Sequence, residues 1–157
     1  MKVELWQIGK TAFPYLREGM DVYEKRIRRY LPFEVVTLPD IRHAAKLSVE
    51  ELQRQEGERI LGKIQPQDYL ILLDERGKTG NSREFAEFLQ KGLLGSHRRI
   101  VFQIGGAYGF SEEVYRRADR KIALSAMTFS HQLVRLIFLE QLYRAFSILH
   151  NEPYHHD

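Results

Sequence analysis

The side chains best suited to chemistry are His131 and Arg135, near the start of the last predicted helix. At about 100° per residue they lie about 40° apart, on the same side and one turn from each other. An imidazole can accept a proton near neutral pH. An arginine near buried positions is costly unless it is paired, which favours a phosphate or carboxylate partner. A capping histidine and a surface arginine are the simpler alternatives.

A glycine-rich segment at residues 105–110, GGAYGF, follows the fourth predicted strand, and we call it the glycine loop. Gly105, Gly106 and Gly109 allow the backbone to approach a ligand or another loop closely. The spacing differs from the dinucleotide-binding fingerprint, and no Walker-type phosphate loop is present. A tight turn that needs positive φ is the alternative explanation.

A second segment, which we call the hydroxyl loop, precedes the last helix. Its small and hydroxyl-bearing residues leave backbone amides and carbonyls free, so that it could read a purine edge through main-chain hydrogen bonds. It could equally serve as an N-cap. The loop consists of Ser125, Ala126, Met127, Thr128, Phe129 and Ser130.

The carboxy-terminal tail carries Tyr154, His155 and His156. These groups could close over a site, or they could belong to a frayed end. Glu140 and Arg144, four residues apart on the last helix, predict a structural ion pair. No spacing of histidines and carboxylates resembles a metal site, and the absence of cysteine excludes thiolate ligands and cysteine nucleophiles.

Strands alternate with helices along the whole chain. The segment YLILL shows no apolar–polar alternation, so we expect this strand to be covered on both faces. The pattern predicts an α/β fold, a mostly parallel sheet with helices on both faces, in one domain spanning residues 1–157. We predict strands at 3–8, 33–38, 69–73, 99–104 and 122–124, helices at 14–29, 48–64 and 82–91, a helix capped by residue 111 and one from about 130, and a turn-rich loop at 74–81.

In such sheets ligands bind beyond the carboxyl ends of the strands, which places a site among the loops after the third, fourth and fifth strands. The last helix is apolar in nearly every direction, so we expect the sheet on one side and a second copy of the chain on the other. A central helix of a monomer is the alternative.

The overall composition suits a globular protein of the cytoplasm. Apolar residues make up 43% of the chain, the formal net charge is +3, and neither a signal peptide nor a membrane span is expected. Three basic clusters, at residues 25–29, 97–99 and 116–121, suit a phosphate backbone, although solvated helix faces would look the same.

Several motifs together resemble a known family. The segments IGGAYGF, LSAMTFSHQLVR, LEQLYRAFSI and EPYHH, with LDERGK and EGERIL, are similar to those of the bacterial large-subunit rRNA pseudouridine N3-methyltransferases, a minimal branch of the SPOUT class. The resemblance covers the whole chain. One departure is Ser130, which stands where the family usually has proline before the histidine.

The resemblance implies a carboxy-terminal trefoil knot, a homodimer, and S-adenosylmethionine as cofactor. It implies that Leu73, Gly105, Gly106 and residues 125–130 of the hydroxyl loop line the cofactor pocket. The implied substrate is a pseudouridine of 23S rRNA in the assembled ribosome, with no metal and no membrane involved.

A sulfonium already carries an activated methyl group, so the chain need not supply a nucleophile. It must align the base and help N3 lose its proton, for which His131, Tyr154 and His155 are candidates. Arg135 would hold a phosphate or stabilise negative charge on the base. The alternatives are a non-catalytic ribosome-associated RNA-binding protein of the same fold, or a small α/β enzyme acting on a nucleotide or acyl substrate. The second has little support, since no nucleophile elbow is present.

Overall fold

A computed structural model describes residues 1–156 and shows one five-stranded sheet. The strands are Lys2–Ile8 (β1), Phe33–Leu38 (β2), Asp68–Lys78 (β3), Arg99–Ile104 (β4) and Arg120–Ile122 (β5). All neighbouring strands are parallel, in the order β2-β1-β4-β3-β5. The carboxyl ends of all five strands therefore lie at one edge of the sheet, as the sequence predicts.

Helices cover both faces of the sheet. They are Pro14–Arg28 (α1), Val49–Lys63 (α2), Ser82–Leu93 (α3), Glu112–Arg117 (α4) and Leu133–Leu149 (α5), with a short 3-10 turn at Ala44–Lys46. Helices α1, α3 and α5 share one core with the sheet, and α2 and α4 share the other. The predicted fold class is confirmed.

The central strands are buried on both sides because successive side chains point to opposite faces. In β3, Leu70 and Leu72 enter the core beneath α2 and α4, while Ile71 enters the core beneath α1, α3 and α5. The covering of both faces expected from YLILL is confirmed.

The third strand extends five residues further at its carboxyl end than predicted, so the expected loop at 74–81 is wrong over most of its length. β3 continues to Lys78, which pairs with Ile122 of β5 after a shift of register. The polar sequence DERGK is typical of a loop and does not predict this extension of the strand. A Cβ at Gly77 would stand 2.6 Å from the backbone nitrogen and carbonyl carbon of Ile122, so only glycine fits where the two strands pass.

Two further boundaries differ from the sequence prediction. β5 covers Arg120–Ile122 rather than 122–124, and α5 starts at Leu133 rather than near 130. Ser130 still stabilises the start of the helix, because its hydroxyl accepts a hydrogen bond from the Leu133 amide at 3.1 Å.

Helix α5 packs along both α1 and α3, with Phe138, Leu139 and Leu142 fully buried. Leu133 on α5 is 40% exposed, and Val22 on α1 is 44% exposed. The homodimer and the trefoil knot stay predictions at this point. In the described part of the chain, no helix has the length and apolar character needed to cross a membrane.

Candidate functional site

A cavity of about 300 Å³ opens at the carboxyl edge, beyond the ends of β3, β4 and β5. The glycine loop and the hydroxyl loop form two of its walls, and the end of β3 forms a third. Most residues that the family resemblance assigns to the site line this cavity, namely Leu73, Gly105, Gly106, Ser125, Met127, Thr128, Phe129 and His131. Ala126 and Ser130 lie in the same hydroxyl loop but do not line it.

The glycine loop is a tight turn, one of the two explanations offered by the sequence, and it also forms a wall of the cavity. Gly106 and Gly109 form an antiparallel bridge, and Gly109 has a φ of +80°. A Cβ at Gly105 would stand 3.0 Å from the Phe110 ring. Side chains at these positions would displace the loop or its supports.

One face of α2 supports the glycine loop from behind. Gln53 donates a hydrogen bond from Nε2 to the Tyr108 carbonyl at 2.7 Å. One turn later, Glu56 places its carboxyl group against Gly106, where a Cβ would stand 2.6 Å from Oε2. Gly57 leaves room for the Ser111 hydroxyl. The position of the loop therefore depends on α2, a helix that contributes no residue to the cavity lining.

The hydroxyl loop presents unpaired backbone donors. The Ser125 hydroxyl accepts from the Met127 amide at 3.0 Å. Within residues 1–156, the amides of Ala126, Thr128 and Phe129 have no hydrogen-bond partner. Main-chain donors at a cavity wall suit the recognition of a heterocycle edge.

His131 lies on the cavity wall and holds a neutral imidazole near neutral pH. Burial lowers its pKa below the ordinary value, and the positive charge of Arg135 lowers it further, while Asp40 acts in the opposite direction. A neutral imidazole is the form that accepts a proton.

Arg135 has partners other than the phosphate or developing charge expected from the sequence. Its side chain is 1% exposed. The guanidinium donates to the carbonyls of Ile8 and Gly9 at 2.9 Å, to the Thr11 hydroxyl at 3.0 Å, and to the His131 carbonyl at 3.1 Å. It therefore joins the end of β1 to the start of α5 and fixes the backbone of His131.

Tyr154 and His155 do not line the cavity of their own chain. The Tyr154 hydroxyl donates to Glu140 Oε2 at 2.9 Å, and Arg144 Nη1 lies 3.0 Å from His155 Nδ1. The predicted pair of Glu140 and Arg144 is confirmed at 2.9 Å. Burial and hydrogen bonds to Tyr23 and Glu140 raise the pKa of Tyr154, so its phenol is a donor rather than a proton acceptor.

The sequence does not single out two side chains near the cavity, Tyr115 and Glu56. Tyr115 of α4 lines the cavity and donates a short hydrogen bond to Asp74, and burial with this bond raises the pKa of Tyr115 to about 12. Glu56 has its pKa raised to about 7 by burial and by the negative charge of Asp40. Glu56 belongs to the EGERIL segment, and its only signal in the sequence is this family motif.

Two of the basic residues proposed for a phosphate backbone are used inside the fold. Arg99 binds Asp68 at 2.9 Å and Glu4 at 3.1 Å, and its side chain is 12% exposed. Arg117 donates to the carbonyls of Gln65 and Asp68. In residues 1–156, no group of three or more His, Asp or Glu side chains is arranged to hold a metal ion.

Comparison with known proteins places this chain in a family. The family described as "predicted SPOUT methyltransferase" matches residues 1–155, almost the entire chain. The chain belongs to the SPOUT methyltransferase family. It is accordingly a methyltransferase, and the resemblance seen in its motifs is confirmed.

Curated SPOUT relatives match over their full lengths. A protein of Parabacteroides distasonis named ribosomal RNA large subunit methyltransferase H is 51% identical over 157 residues, covering 100% of both chains. A protein of the same name from Cytophaga hutchinsonii is 51% identical over 156 residues, covering 99% of this chain and 100% of that one.

Two solved structures share the fold at low sequence identity. A tRNA methyltransferase from Aquifex aeolicus is 16% identical with a TM-score of 0.52, covering 100% of this chain and 76% of that chain. A probable methylase family protein from Haemophilus influenzae is 12% identical with a TM-score of 0.51, covering 95% of this chain and 66% of that one. These likenesses support the α/β methyltransferase fold.

Proposed function

We propose that this methyltransferase transfers a methyl group from S-adenosylmethionine to N3 of a pseudouridine in 23S rRNA of the assembled ribosome. The observation that carries the proposal is the end-to-end identity of about half with proteins named for methylation of large-subunit ribosomal RNA. The motif resemblance supplies the target atom. We place the protein in the cytoplasm, where such a substrate is found.

The cavity suits the proposed cofactor. Its volume of about 300 Å³ lies at the lower end of the range for small-molecule sites. Leu73, Gly105 and Gly106 would hold the cofactor on one side, and the hydroxyl loop, residues 125–130, on the other. The free amides of that loop match the acceptor nitrogens of an adenine ring. When bound, the cofactor supplies a methyl group already activated on a sulfonium.

His131 is the residue of this chain best placed to take the N3 proton. It lies on the cavity wall with a neutral imidazole, whereas Tyr154 holds a proton on a phenol of raised pKa. Arg135 acts as a positioning residue, because it fixes the His131 carbonyl and the end of β1. General-base help and alignment are the two contributions that this reaction requires.

We infer that the active form is a homodimer. The support is the group of partly exposed apolar side chains on α1 and α5, including Val22 and Leu133. In one chain, Tyr154 and His155 are held against α5 and do not line the cavity. A role for either residue in catalysis would therefore require the tail of a second copy beside the cavity.

Purified protein, S-adenosylmethionine and ribosomes from a strain lacking the gene should yield 3-methylpseudouridine, detected by mass spectrometry of digested 23S rRNA. Protein-free 23S rRNA should be a much poorer substrate, because the fold carries no additional RNA-binding domain in residues 1–156. Binding of S-adenosylmethionine without methylation of either substrate would contradict the assignment.

Gly106→Val should weaken S-adenosylmethionine binding at least about 100-fold in calorimetry, since a side chain there collides with Glu56 and pushes the glycine loop into the cavity. Gly62→Val is the matched control, because nothing lies within 4 Å of a Cβ at that position. Unchanged affinity in Gly106→Val would place the cofactor elsewhere.

A further inference from the structure

Glu56 lies directly behind the cavity wall. A Cβ at Gly106 would stand 2.6 Å from its Oε2 and 2.8 Å from its Oε1, and Gly106 itself lines the cavity. Only the backbone of a residue without a side chain therefore separates this carboxyl group from the part of the cavity that Gly106 lines.

No cation in the described chain compensates Glu56. Among residues 1–156, it makes neither a hydrogen bond nor an ion pair, and its charged form is disfavoured by burial and by Asp40. Arg59, on the same helix, donates instead to the Asp40 carbonyl at 3.4 Å. The glycine loop contributes no ionisable side chain except Tyr108, which is 58% exposed.

Asp40, which follows β2, connects Glu56 electrostatically to the rest of the site. Its charge also acts on the neutral imidazole of His131 and on the guanidinium of Arg135, both near the start of α5. Arg135 is already occupied by backbone carbonyls. A cationic ligand in the cavity would be the missing partner of the uncompensated carboxyl group.

We propose that Glu56 makes the cavity select the cationic methyl donor over its neutral product, by ionising when a sulfonium is bound. This inference rests on the donor proposed above. S-adenosylmethionine carries a positive sulfonium, whereas S-adenosylhomocysteine carries a neutral thioether. Donor binding releases the proton of Glu56 to solvent, and loss of the sulfonium charge after transfer lets Glu56 take a proton back. The product is then bound less tightly and leaves.

The affinity for the donor should depend on pH through the ionisation of Glu56. In the free protein Glu56 titrates with a pKa of about 7, well above the ordinary value. A nearby sulfonium favours the carboxylate, so the pKa falls in the complex. Donor affinity should therefore rise as the pH increases through about 7 and then level off, while product affinity stays nearly constant.

The test is calorimetric titration of the full chain with S-adenosylmethionine and S-adenosylhomocysteine at pH 6.5, in phosphate and in imidazole buffer. The two buffers differ in ionisation enthalpy, so they reveal proton release. Wild type should release about half a proton per donor molecule and much less per product molecule. Glu56→Gln should abolish the release and reduce the preference for donor over product about threefold at pH 6.5 and about tenfold at pH 8.

Glu58→Gln is the matched control, because Glu58 lies on the same helix, is 65% exposed and pairs with Arg54. It should behave like wild type. Equal weakening of donor and product by Glu56→Gln would overturn the inference, since it would show only support of the loop. Proton release that persists in Glu56→Gln would overturn it too. Failure of wild type to bind either compound would instead refute the proposed donor. If Glu56→Gln does not fold, the pH dependence of wild-type donor affinity decides alone.

Discussion

Arg135→Ala should lower the free energy of unfolding by about 3 kcal/mol or more and abolish methylation at the same time. The substitution leaves the buried carbonyls of Ile8 and Gly9 without their donor, and it opens a cavity between β1 and α5. Each buried polar group left unpaired costs about 1–3 kcal/mol. The measurement is urea unfolding followed by far-UV circular dichroism, with methylation assayed on the folded fraction.

Arg116→Ala is the control for a lost arginine, since its side chain is 73% exposed and its pair with Glu113 spans 3.5 Å. It should change stability by less than about 0.5 kcal/mol. Arg135→Lys separates the two roles considered for Arg135. A phosphate contact would be partly restored by lysine, whereas the four-acceptor arrangement would not be. An Arg135→Ala protein with wild-type stability and no activity would support the phosphate contact.

Gly77→Ala should destabilise the protein by about 3 kcal/mol, at the upper end of the range for overpacking. The added methyl group would stand 2.6 Å from the backbone of Ile122, and backbone cannot rotate away as a side chain can. Because the end of β3 also lines the cavity, donor binding should weaken together with stability.

Gly62→Ala provides the opposite control. Gly62 lies in α2 with open space around it, so alanine should leave stability unchanged or raise it by about 0.5 kcal/mol. Equal stabilities for Gly77→Ala and Gly62→Ala in urea unfolding would show that β3 and β5 do not pass as closely as described.

The fold was predictable because its strongest signals are local. The apolar run YLILL and the predicted cap at Ser111 mark elements that the structure contains, and the Ser111 hydroxyl accepts a hydrogen bond from the Val114 amide in the first turn of its helix. The extension of β3 through Asp74–Lys78 was not predictable. Its sequence is polar, and its pairing with β5 depends on a strand more than forty residues later in the chain.

The site was only partly predictable for a similar reason. The glycine loop and the hydroxyl loop could be recognised from composition and position alone. Three of the four acceptors bound by Arg135 lie more than 120 residues away in sequence, at Ile8, Gly9 and Thr11. The raised pKa of Glu56 results mainly from its burial where α2 packs against the glycine loop. The periodicity of α2 does not predict this contact.

Deletion of the gene, followed by nucleoside mass spectrometry of 23S rRNA, tests the central claim most directly. The 3-methylpseudouridine signal should disappear in the deletion strain and return when the wild-type gene is supplied. It should not return with Gly106→Val. An undiminished 3-methylpseudouridine signal in the deletion strain would contradict the proposed reaction.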